Sequence, residues 1–62
     1  MQYFQMYENI NSEAIMAHVI VFDDGQTIVK WCGNVKSLVV HKNLDEFKSI
    51  SITGDRTLYQ TF

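Results

Sequence analysis

The chain has 62 residues, a formal net charge of −2, and 47% hydrophobic, 13% aromatic and 19% charged residues. This is too apolar and too weakly charged for a disordered chain. The basic residues Lys30, Lys36, Lys42, Lys48 and Arg56 are scattered rather than gathered into the stripe that neutralises nucleic-acid phosphates.

Met1 to Tyr7, M-Q-Y-F-Q-M-Y, alternates as a first strand, with Phe4 and Met6 on one face and Tyr3, Gln5 and Tyr7 on the other. Glu8 to Glu13 is rich in turn formers and reverses the chain, a helix over Asn11 to Ala17 being the alternative. Ile15 to Phe22 reads as the second strand.

The stretch Val19 to Lys42 then reads as two hairpins sharing a central strand. Asp24-Gly25 suits a two-residue type I′ turn, which sets Phe22 opposite Thr27, Ile20 opposite Val29 and His18 opposite Trp31. A second turn around Gly33-Asn34-Val35-Lys36 sets Trp31 opposite Leu38 and Val29 opposite Val40. Both turns place Ile20, Phe22, Val29, Trp31, Leu38 and Val40 on one face, expected to be the core. The other face then carries Val19, Val21, Ile28, Lys30, Cys32, Ser37, Val39 and His41, of which Val19, Val21, Ile28, Lys30, Val39 and His41 are the candidate interface.

After His41 the apolar spacing becomes helical. Leu44, Phe47 and Ile50 recur every three residues, Asn43 suits an N-cap, and Glu46 stands where it can return a hydrogen bond to the cap backbone. Gly54-Asp55 makes a turn and Thr57 to Phe62 a last strand, whose partner the spacing leaves open. The fold expected is α+β: an antiparallel meander of about four strands, one short helix packed on one face, and a C-terminal strand, all in a single domain over residues 1–62.

The quoted residues resemble a family of very small proteins of bacteria and their phages. Its pattern runs F-x-D-G-x-x-x-x-[KR]-W, a turn, S-x-x-x-x-x-[SN]-[LI]-[DE]-[DE], an apolar residue and an I-H-G-H segment. Phe22, Asp24, Gly25, Lys30, Trp31, Ser37, Leu44, Asp45, Glu46, Phe47 and Ile50 fit this pattern over Phe22 to Tyr59. The two histidines do not, since Ser51 to Gly54 follow Ile50. What the resemblance implies about function is contextual: a phage or prophage accessory protein that binds a host protein, including a component of antiviral defence.

The chemistry the residues could carry is sparse. Cys32 and His41 are expected on one face and His18 on the other, with no C-x-x-C or H-x-x-x-H spacing, so no metal site is expected. Neither is a Cys32–His41 nucleophile pair, since no oxyanion site accompanies it. Asp23-Asp24 and Asp45-Glu46 fit a turn and a helix start better than an acid–base pair. No glycine loop cradles a phosphate. Trp31 is assigned to the core, and Tyr3, Tyr7 and Tyr59 to surface contact. No catalytic residue and no cofactor are therefore expected.

A chain of this length buries only about 60% of the surface it exposes when unfolded. With one cysteine and no metal site, self-association is the remaining support. The reading is a non-enzymatic interaction module, a homodimer acting on a host protein in the bacterial cytoplasm, without nucleic-acid or membrane partners. The alternatives are a small-ligand or nucleotide binder in a dimer cleft and a single-strand nucleic-acid binder.

Overall fold

A computed structural model describes residues 1–34 and 36–61. Five strands and a helix follow in the order β1 (Gln2–Tyr7), β2 (Ile15–Val21), β3 (Thr27–Trp31), β4 (Leu38–His41), α1 (Leu44–Ser51) and β5 (Thr57–Gln60). They form one antiparallel sheet ordered β4-β3-β2-β1-β5. The α+β class and the single helix are as the sequence led one to expect. The last strand pairs with the first, Gln5 opposing Tyr59 and Met6 opposing Leu58.

Both hairpins close one residue away from the expected register. In the first, the Gly25 N–H donates to the Phe22 carbonyl and the Phe22 N–H to the Gln26 carbonyl, each at 2.9 Å. The loop is thus the three residues Asp23-Asp24-Gly25, a tight turn ending in a positive-φ glycine at +94°, rather than a two-residue turn. Asp24 steadies it by accepting the Gln26 N–H at 3.0 Å. Val19 therefore opposes Val29, Ala17 opposes Trp31 and Val21 opposes Thr27. In the second hairpin the Trp31 N–H donates to the Ser37 carbonyl, so Val29 opposes Val39 and Lys30 opposes Leu38. Of the expected second turn, Val35 lies outside the described residues.

A one-residue slip exchanges the faces of a strand. The central strand keeps its expected orientation, with Val29 and Trp31 inward, while β2 and β4 are turned over. The core is Phe4, Met6, Ala17, Val19, Val21, Val29 and Phe47, with Met16, Trp31, Leu44, Ile52 and Leu58 packed against it. Ile20, Phe22, Leu38 and Val40 do not belong to it. Burying a valine such as Val19 or Val29 contributes about 1.5–3 kcal/mol each.

The helix covers that inner face because the chain must pass from β4, at one edge, to β5, at the other. Asn43 caps α1, its Oδ1 accepting the Glu46 N–H at 2.8 Å, and Asp45 and Glu46 sit in the first turn, where the helix dipole favours them. The Glu46 carboxylate returns its bond to the Lys42 N–H, at 3.0 Å, one residue before the expected cap position. The inward residues are Leu44, Phe47 and Ser51, spaced three and four apart. Ile50, expected to pack, is 62% exposed, because at ~100° per residue it lies about 60° past Phe47, on the flank away from Ser51.

Candidate functional site

The face opposite the helix has no described element over it. Cross-strand pairing arranges it in two rows. The first runs Val40, Ile28, Ile20, Tyr3 across β4, β3, β2 and β1; the second runs Leu38, Lys30, His18, Gln5, Tyr59 across all five strands. The first row is continuously apolar apart from the tyrosine hydroxyl. Val40 is 56% exposed and Leu38, beside it, 66%.

The tyrosines of the face are tied to polar or aromatic neighbours on it. The Tyr3 hydroxyl bonds His18 Nδ1, and the two rings stack with centroids 5.6 Å apart. Tyr7 and Tyr59 meet edge to face at 5.6 Å, and the Tyr7 hydroxyl donates to Gln5 at 3.4 Å. These contacts hold the rings on the sheet surface, a rigid amphipathic floor of the sort that interfaces favour.

The structure divides the six residues expected to form an interface. Ile28 and Lys30 lie on the bare face. Val19 and Val21 are core, at 0% and 8% exposure, and His41 is buried beneath the helix. Val39 pairs with Val29 on the inner side, at the sheet margin. The six therefore do not make one surface; register is the whole reason. What the sequence reading missed were Ile20, Leu38 and Val40. The signal lay in His18 and Lys30, which the slipped register would have separated and which the observed one sets side by side facing outward.

The candidate chemical groups are likewise dispersed. His41 stands on the helix side, its ring 5.6 Å from Phe47 and its Nδ1 3.3 Å from Glu46, and His18 stands on the bare face. Cys32 follows β3, its N–H bonded to the Met16 carbonyl, and does not join His41 on the helix side. Among the described residues no group of three or more His, Cys, Asp or Glu could hold a metal ion. Asp23-Asp24 serve the turn. The Glu46 carboxyl is held below its usual value chiefly by the Lys42 N–H, against a smaller upward push from lost hydration, with His41 helping to lower it.

A concavity of about 510 Å³ opens at one end of the sheet, lined by Glu8, Ile15, Met16, Trp31, Cys32 and Ser37 among others. It is a wide dish between the β1–β2 loop and the end of β3. Trp31 forms part of its wall while packing against the core.

Fold and surface together define a class: a small α+β module whose single sheet is covered by a helix on one side and carries, on the other, an apolar row beside a polar one with no described element over them. Residues 10–61 match the family described as Acb5 phage protein. The chain belongs to that family and is a small phage protein. No curated protein and no solved structure matches it. Among the described residues no helix is long and apolar enough to cross a membrane.

Proposed function

We propose that this phage protein is a non-enzymatic interaction module that binds a protein of the bacterial host's antiphage defence in the cytoplasm and blocks it sterically. A family name of the form Acb5 suggests the anti-CBASS type, and we take a CBASS component as the target. The observation that carries the reading is the row Val40, Ile28, Ile20 with Leu38 beside it, Leu38 and Val40 exposed and the two isoleucines half-buried, since contiguous accessible apolar surface on a small protein usually marks an interaction site. No chemical step is needed. The contact would exclude the target's own substrate or partner.

The test is direct binding of the purified protein to purified defence components, alongside the Ile28→Lys variant. Binding by the wild type that the folded variant loses supports the reading; absence of binding to any component overturns it. A second reading, a nucleotide binder, draws on Tyr3, Tyr59, His18 and Lys30 sharing that face, because aromatic rings beside a cation can stack a base. Titration calorimetry with cyclic and linear nucleotides separates the two.

A further inference from the structure

Hydrogen-bond phase shows which backbone groups of β4 lack a partner within the sheet. The Trp31 N–H bonds the Ser37 carbonyl, so alternation turns the N–H and C=O of Val39 and His41 toward β3 and those of Leu38 and Val40 outward. Edge strands are ordinarily guarded by proline, a bulge or an inward charge. Leu38-Val39-Val40 has none of these, and all three side chains are exposed, at 66%, 36% and 56%. The opposite edge, β5, presents Thr57, Tyr59 and Gln60 instead.

We propose that β4 is a homodimer seat, where a second copy of this chain adds its own β4 antiparallel to the first about a twofold axis at Val39. The occupant follows from self-complementarity. With Val39 on the axis, Leu38 opposes the partner's Val40 and Val40 the partner's Leu38. These are the residues whose N–H and C=O point outward, so each pair exchanges two hydrogen bonds and all four outward groups of each strand are satisfied. Every side-chain pair from Leu38 to Val40 is aliphatic, and the like-charged Lys36 and Lys42 would face each other only beyond the strand's ends, where both are exposed. The run stops at Lys42, whose N–H is already bonded to Glu46. Ten strands would then share one sheet, with Val40 at the end of each apolar row meeting the partner's Leu38. The proposal does not depend on the function proposed above.

So short an edge predicts a weak dimer, with a dissociation constant on the order of 10 μM. Amide hydrogen exchange and light scattering on the full chain test it over a hundredfold range of concentration. The expected result is a doubling of mass, with exchange at Leu38 and Val40 slowed roughly tenfold and that of Leu58, whose N–H points to the free edge of β5, unchanged. Val40→Pro removes an N–H that the monomer does not use, at an edge position where proline is tolerated, and should give monomers, whereas Ile28→Lys, on the face but away from the edge, should still dimerise. Should Val40→Pro misfold by circular dichroism, the wild-type exchange pattern decides. A chain that stays monomeric throughout overturns the proposal. So does a dimer in which Leu38 and Val40 exchange as freely as in the monomer, or one abolished by Ile28→Lys and not by Val40→Pro.

Discussion

Replacing Phe47 with alanine tests the packing of the helix onto the sheet. The ring is fully buried, in contact with His41 and within the core cluster. Truncating such a residue costs about 3–5 kcal/mol, counting lost transfer energy and the cavity left behind. A domain of this length has only about 3–9 kcal/mol of stability in total, so the variant should be largely unfolded or close to it. Ile50→Ala, three residues on but 62% exposed, should cost no more than about 0.5 kcal/mol. Urea unfolding followed by the fluorescence of Trp31, which packs against the core, reads both. With a slope near 1 kcal/mol per molar urea, Phe47→Ala moves the midpoint down by about 3 M or abolishes the transition, and Ile50→Ala barely moves it. Equal losses would refute the helix phase, and with it the account of which face is covered.

Three further outcomes follow from particular residues. Val19→Asp buries an unpaired carboxylate and should cost more than about 3 kcal/mol, whereas Ile20→Asp, on the bare face, should cost about 1 kcal/mol or less; urea midpoints in the reverse order would restore the other register. Gly25→Ala meets no atom within 4 Å, but its φ of +94° is strained for any side chain, and a loss of about 1 kcal/mol in thermal unfolding is expected. Because the folded-state pKa of Glu46 is depressed below its ordinary value of 4.5, its contribution is complete above that value and disappears as pH falls through the lower, folded pKa. Wild type and Glu46→Gln should therefore differ at pH 7 and converge in strong acid; a stability gap that widened on acidification would contradict this.

Much of the architecture was legible in the residues. The alternation of Phe4 and Met6 against Tyr3 and Tyr7, the Asn43 cap and the change to helical spacing after His41 all appear where the sequence places them. Register was not legible, for a reason specific to β2. In M-A-H-V-I-V-F both sets of alternate residues are largely apolar, so Val19 and Val21 look no more inward than Ile20 and Phe22, and the turn alone must decide. Asp-Asp-Gly fits both a two-residue turn and a three-residue loop that ends in a bulged glycine. The second hairpin is offset in the same direction, so the two turns agree with each other while only the central strand, Thr27 to Trp31, keeps its expected faces. Two polar residues, Thr27 and His41, also occupy inward positions. Thr27 shares the inward phase of Val29 and Trp31, but nothing in the spacing announces the burial of His41; acceptance of both depends on partners, the Gly25 carbonyl for Thr27 and Glu46 for His41. The candidate site inherited the slip: an apolar uncovered face was foreseen, but four of its six named residues belong to the other side.

The claim that the uncovered face is what this phage protein works with is tested most directly in bacteria carrying the defence system. Phage plating is measured in cells expressing the wild type or Ile28→Lys, with the thermal midpoint of each purified protein measured in parallel. The account predicts that the wild type restores plating, and that the variant melts within a few degrees of it, a cost of about 1 kcal/mol or less, yet leaves the defence intact. Full restoration of plating by Ile28→Lys would contradict it.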